Sequence, residues 1–163
     1  MIPDAIKTWR YIAETKRSQW VSTDLILALI WQESSGNPWA ERHERYYQYF
    51  WDTKKELPLY DKTKSVSENR QTALNILGPT EFSAQSTSRG LLQVMGAVAR
   101  ERGFGGLYLT ELCDPETGIE YGVKHLDAFA RRHELRTALL RYNGGGRELY
   151  ADEVLKKLAA IQG

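Results

Sequence analysis

The 163-residue chain has little of two features that point to common functions, cysteine and net charge. It has one cysteine, Cys113, so no internal disulfide can form, and its neighbours favour the role of a small buried residue. Lysine and arginine total 22 against 21 aspartate and glutamate, which leaves a net charge of +1. We therefore predict no nucleic-acid partner, because so small a charge gives no general attraction to phosphate.

Long apolar runs and metal-ligand motifs are also missing. No run approaches the length of a membrane span, and residues 1–7 lack the basic-then-apolar order of a signal peptide. The three histidines, His43, His125 and His133, have neither close ligand spacing nor a cysteine beside them, so we expect no metal and no cofactor. The length fits one domain over residues 1–163 with its own core, and we predict a monomer.

Apolar residues recur at three- and four-residue intervals through most of the chain, which predicts a mainly α fold of about seven helices. No alternating pattern is long enough to indicate a sheet. The first two predicted helices run from Pro3 to about residue 19 and from residue 25 through the apolar run 25–31 to about residue 33. The next four cover residues 68–77, 87 to about 103, 115 to about 132 and 136–141. A last helix has an apolar face made of Leu149, Val154, Leu155, Leu158 and Ile161.

One carboxylate, Glu33, stands where an almost wholly apolar helix should end. The run Leu25–Trp31 has no polar face, and residues 34–38 then stop the helix. Burial and the negative end of the helix dipole both disfavour the carboxylate, so we expect a raised pKa. A carboxylic acid that stays protonated near neutral pH can serve as a general acid. The alternative is a solvated residue near a helix end, with Gly36 as the terminator.

Three short motifs occur in an order that is more specific than any one of them. They are Trp31-Gln32-Glu33-Ser34-Ser35-Gly36-Asn37-Pro38, Ser88-Arg89-Gly90-Leu91-Leu92-Gln93-Val94-Met95 and Leu140-Arg141-Tyr142-Asn143-Gly144-Gly145. Together they resemble the soluble lytic transglycosylase family of the lysozyme-like superfamily. The resemblance covers residues 20 to 160, with 41–86 as an insertion. It implies a lysozyme-like domain that cleaves peptidoglycan between N-acetylmuramic acid and N-acetylglucosamine and leaves a 1,6-anhydro product.

The resemblance gives Glu33 the role of acid and then of base. It also implies that the substrate cleft is lined by Gln93, Met95, Tyr142 and Asn143. Gln93 would bond the sugar or its N-acetyl group, and Tyr142 would fix the orientation of the carboxyl. The residue types allow other roles, since Met95 and Tyr142 fit a core and Asn143 fits a helix terminator.

Three further residues are candidates for the substrate site. Ser86 and Ser88 are matched to family serines that bond an N-acetyl group, although the insertion blurs the register. Glu81 lies in the region where goose-type lysozymes, which resemble this family, carry an additional acid. The alternative for Glu81 is a surface acid that opens a turn.

The insertion, residues 41–86, contains the aromatic segment Tyr46–Trp51 followed by a polar stretch rich in lysine. We predict that it caps the cleft. Aromatic rings in such a position can stack on the apolar faces of sugars, or they can pack the insertion onto the core. The sequence leaves both roles open.

The expected partner is bacterial peptidoglycan, and the expected place of action is the cell wall or periplasm. Because no signal peptide is visible, the sequence fits a bacteriophage protein, a mature or truncated bacterial enzyme, or a protein exported by another route. Two other functions stay open at this point. One is a lysozyme-type hydrolase, and the other is a wall-binding or virion structural protein that has lost turnover.

Overall fold

Helices form most of the fold in a computed structural model that describes residues 1–163. The α-helices are α1 (Asp4–Lys7), α2 (Arg10–Lys16), α3 (Thr23–Glu33), α4 (Val66–Leu77), α5 (Pro79–Gln85), α6 (Gly96–Glu101), α7 (Pro115–Ala130), α8 (Leu135–Tyr142) and α9 (Tyr150–Gln162). A 3₁₀-helix spans Leu109–Cys113. The strands are β1 (Glu41–His43), β2 (Trp51–Asp52), β3 (Leu57–Pro58), β4 (Thr87–Arg89) and β5 (Val94–Met95). The predicted mainly α fold is confirmed, and no helix is both long and apolar enough to cross a bilayer.

Helix α3 lies at the centre of the hydrophobic core. It begins where the Ser22 hydroxyl accepts a hydrogen bond from the Leu25 amide. Residues 25–30 are all buried, with α9 packed along the helix and α2 and α1 against it. Each large apolar side chain in this stretch contributes about 1.5–3 kcal/mol through burial. The predicted buried helix is confirmed, and its last residue is Glu33.

The prediction of a helix over residues 87 to about 103 is wrong for the first half of that range. Strands β4 and β5 pair antiparallel there, and β1 pairs with β4, so a three-stranded sheet forms in the order β1-β4-β5. The chain turns between β4 and β5 at Gly90 and Gln93, whose φ angles are +80° and +47°. A helix cannot contain these angles, so α6 begins only at Gly96. The expectation that no sheet forms is therefore also wrong.

The first predicted helix, from Pro3 to about residue 19, is in fact two short helices, α1 and α2. Trp9 lies at the break between them, and its indole N–H donates to the Gly36 carbonyl at 3.1 Å. This contact between distant parts of the chain outweighs the local preference for one continuous helix. Elsewhere the sequence signals are reliable, because α4, α7 and α8 match the predicted helices within two residues at each end. Cys113 is buried, as predicted.

The insertion joins the three-stranded sheet, here called the core sheet, at one end and packs on itself at the other. Strand β1 belongs to the core sheet, whereas β2 and β3 form a separate hairpin. Helix α4 begins with a capping box in which Ser65 and Glu68 each bond the other's backbone amide. Phe50 is buried and stacks on Phe82 at 4.7 Å between ring centroids. Packing therefore accounts for Phe50, while Tyr46 and Tyr49 of the same segment stay exposed.

Gly90→Ala is expected to destabilise the fold more than Gly103→Ala. Both glycines have left-handed φ angles, +80° and +92°. A Cβ at Gly90 would lie 2.1 Å from the Leu112 carbonyl oxygen, whereas a Cβ at Gly103 would meet nothing within 4 Å. Backbone strain alone costs about 1 kcal/mol, and a clash with backbone brings the loss at Gly90 to about 3 kcal/mol or more. Urea unfolding measures both variants. Equal losses would contradict the packing of the β4–β5 turn against the 3₁₀-helix.

Candidate active site

Glu33 ends α3 at the rim of the hydrophobic core, where its side chain is half-buried. Its carboxylate accepts a hydrogen bond from the Tyr150 hydroxyl. Burial raises the pKa of Glu33 above its usual range, while the bond from Tyr150 and the positive charge of Arg42 oppose part of that rise. The expected upward direction is confirmed, with burial as the main cause. Such a group keeps its proton to a higher pH than a solvated glutamate does, and the bond from Tyr150 stabilises it once the proton has left.

Tyr150 is a site residue that the sequence analysis missed. It is the first residue of α9 and only 3% exposed, whereas Leu149, which the analysis placed on the apolar face of this helix, is 64% exposed. The sequence did contain a signal for the burial of Tyr150, because Tyr150 precedes the buried Val154 by four residues and therefore lies on the same face of the helix. The prediction for Leu149 is wrong, and the face begins one residue later.

Tyr142 lies close to Glu33 without bonding it. Its hydroxyl donates to the Leu92 carbonyl at 2.7 Å, which ties the end of α8 to the β4–β5 turn. Burial, and then the negative charge of Glu33, raise the pKa of Tyr142 well above its ordinary value. The role predicted for Tyr142, which is to orient the carboxyl by a hydrogen bond, is therefore filled in this structure by Tyr150.

Gln93 occupies the β4–β5 turn, and its amide is fully bonded within the chain. The amide nitrogen donates to the Ala40 carbonyl at 2.9 Å and to the Gly90 carbonyl at 3.0 Å. The amide oxygen accepts from the Ser88 hydroxyl at 3.0 Å. Ser88 is buried, and Met95, its partner on β5, is half-buried. The structure thus brings Gln93, Ser88 and Met95 together beside the end of α3, since Ser34 also bonds the Leu91 carbonyl of the same turn.

The remaining predicted residues, Ser86, Asn143 and Glu81, make no hydrogen bond to Glu33. The Ser86 hydroxyl is buried and donates to the carbonyls of Phe82 and Ser83. Asn143 is exposed at the end of α8 and opens the glycine-rich loop 143–149.

Glu81 belongs to a different part of the surface. Burial acts to raise its pKa, but hydrogen bonds from Arg100 and Gln85 outweigh it and lower the pKa. Arg100 binds the carboxylate with two nitrogens, at 2.8 and 3.1 Å. The pair lines a pocket of about 520 Å³ between the insertion and residues 103–107. A carboxylate held in this way stays ionised and cannot serve as a general acid at neutral pH.

The carboxyl of Glu33, which is half-buried and bonded by the Tyr150 hydroxyl, is suited to acid–base chemistry. No group of three or more histidine, cysteine, aspartate or glutamate side chains comes together as a metal site. Residues 10–157 match the family model for the transglycosylase SLT domain. The chain belongs to the SLT transglycosylase family. Comparisons with curated proteins and with solved structures gave no significant match. Membership supports the action of this SLT domain on peptidoglycan in the cell wall, and it confirms the resemblance found in the three motifs.

Tyr150→Phe is expected to raise the pKa of Glu33 further. The lost hydroxyl stabilises the carboxylate, and a hydrogen bond to a charged group corresponds to about one pH unit. Tyr142→Phe is the matched control, because it removes a hydroxyl that bonds Leu92 instead. Carbon-13 NMR of the glutamate carboxyls over pH 3–9 measures both. A rise of equal size in the two variants would contradict the specific pairing of Glu33 with Tyr150.

Glu33→Gln is expected to stabilise the SLT domain at neutral pH. Because the folded-state pKa of Glu33 lies above its ordinary value of 4.5, ionisation costs more in the folded than in the unfolded chain. The free energy of unfolding of the wild type therefore falls as pH rises from 4.5 through the raised value. Glutamine keeps an oxygen for Tyr150 and carries no charge. Thermal unfolding should show the advantage of the variant at pH 8 and its loss at pH 3, and an equal advantage at both would contradict this assignment.

Proposed function

We propose that this SLT domain is a lytic transglycosylase. Its substrate is the glycan strand of peptidoglycan, which it cleaves at the β-1,4 bond between N-acetylmuramic acid and N-acetylglucosamine. The product carries a 1,6-anhydromuramic acid end. Family membership supports the substrate, and the half-buried, hydrogen-bonded carboxyl of Glu33 supports the chemistry.

Glu33 acts in both halves of the proposed reaction. The protonated carboxyl first gives its proton to the glycosidic oxygen while the bond from that oxygen to the muramyl C1 breaks, so N-acetylglucosamine leaves as an alcohol. The resulting carboxylate then removes the proton from the muramyl C6 hydroxyl, whose oxygen bonds to C1. Tyr150 and Arg42 stabilise the carboxylate between the two steps, while burial favours the return of the proton.

The observation that supports this choice over hydrolysis is that no second carboxyl bonds Glu33, and that Glu44, the acid paired with Arg42, is held by that arginine. Hydrolytic glycosidases usually use a second carboxylate, as nucleophile or to activate water. The groups that act on the Glu33 carboxyl are Tyr150 and Arg42, and Glu81 is held by Arg100 elsewhere. A reaction whose nucleophile belongs to the substrate has no need of a second acid.

Digestion of purified sacculi tests the proposal. We expect the wild-type domain to release fragments whose masses correspond to anhydromuramic ends, 18 Da below those of reducing ends because no water is added. Glu33→Gln should keep the fold and lower the rate by about 10²- to 10⁴-fold, the usual contribution of a general acid. Fragments with reducing ends only would favour the hydrolase, and binding to sacculi with no release would favour the non-catalytic wall-binding protein.

A further inference from the structure

Three side chains on neighbouring strands form a row on one face of the core sheet. The register pairs Arg42 of β1 with Ser88 of β4, and Ser88 with Met95 of β5. Directly paired residues project from the same face of a sheet, so Arg42, Ser88 and Met95 form one line, here called the sheet row. The row adjoins the turn at Gln93 through the bond from Ser88. The turn is tied to the end of α3 by the bond from the Ser34 hydroxyl to the Leu91 carbonyl, so the row lies beside the helix end that carries Glu33. The action of the Arg42 charge on Glu33 agrees with this position.

Arg42 is the member of the row that is free to meet a ligand. Its side chain is 76% exposed, and its Nε lies 2.6 Å from a carboxylate oxygen of Glu44. Its two terminal nitrogens make no hydrogen bond within the chain. Arg89 and Arg100, by contrast, have only 10% of their side chains exposed and are bonded through both the Nε and terminal nitrogens. An arginine with open donors beside an acid of the active site has the form of a binding group.

We propose that Arg42 binds a carboxylate carried by the muramic acid residue of the substrate. The planar guanidinium matches a carboxylate with two parallel hydrogen bonds, and its open donors lie on the sheet that adjoins the helix end of Glu33. Peptidoglycan supplies this chemistry from two sources. One is the stem peptide, and the other is the lactyl group of a strand whose stem has been removed. The inference rests on the proposed function for the identity of the polymer.

Glu44 competes with the substrate for the same guanidinium. It lies two residues along the chain from Arg42, and one of its carboxylate oxygens forms an ion pair with the Nε. That oxygen is buried and makes no well-aligned hydrogen bond, so the pair contributes little and a substrate carboxylate that bonds the terminal nitrogens can displace it. Arg42 would thus exchange an internal partner for a ligand without any movement of the backbone. Removal of the Glu44 charge should therefore strengthen binding.

Calorimetry in a Glu33→Gln parent measures binding without turnover. The probes are glycan tetrasaccharides with an acidic stem peptide, with the same stem fully amidated, and with the stem removed so that the lactyl carboxylate is free. Arg42→Gln should weaken binding of at least one carboxylate form about five- to tenfold and leave the amidated form within about twofold. Arg42→Lys should recover part of the loss, and Glu44→Gln should tighten the same form about twofold.

Arg45→Gln is the matched control, because Arg45 is exposed on the same segment and lies over the Tyr46 ring outside the sheet row. It should leave all three affinities unchanged, and thermal unfolding of each variant should match the parent. A loss confined to the stem-bearing or to the stem-free probe supports the inference and identifies the source of the carboxylate. Equal weakening of all three probes, or none, overturns it. Wild-type protein that binds these probes selectively but releases no anhydro fragments would refute the proposed function alone.

Discussion

Burial of the middle of α3 is the constraint on which the site depends. Residues 25–30 are buried on every side, so the helix reaches the surface only at its two ends, and Glu33 lies at the second. Helix α9 packs along the same length and begins with Tyr150, which reaches the carboxyl. The contacts that stabilise the fold therefore also fix the acid and its hydrogen-bond donor relative to each other. A site on two packed helices is held more rigidly than one on loops.

Two glutamates of this chain show how partners decide the state of a carboxyl. Burial disfavours the charge of both Glu33 and Glu81. Glu81 receives two hydrogen bonds from Arg100 and one from Gln85, and its pKa falls. Glu33 accepts one hydrogen bond from a neutral hydroxyl and is attracted only by the charge of an exposed arginine, so its pKa stays raised. Deeper burial at Glu33 and stronger partners at Glu81 act in the same direction to separate the two outcomes.

Local signals explain which parts of the fold could be predicted from the sequence. Helix α7 carries its own start, because Asp114 caps it and Pro115 occupies its first turn, and α3 is marked by an apolar run. The segment after residue 86 has helical spacing, yet its turn depends on the approach of Gly90 to Leu112, which lies more than 20 residues away. The catalytic candidate followed from its place at a helix end. Its partner Tyr150 could not be paired with it, since that contact joins residues 117 positions apart.

The insertion is tied to the candidate site by the pairing of its first strand. Strand β1 completes the sheet that carries the β4–β5 turn, and the Ala40 carbonyl just before it accepts from both the Gly90 amide and the Gln93 side chain. The opposite end is held by its own contacts, such as the Phe50–Phe82 stack. The base of the insertion is thus fixed by the same bonds that shape the turn, while its exposed rings are under no such constraint. Changes at the tip can therefore alter the surface offered to a long glycan without disturbing Glu33.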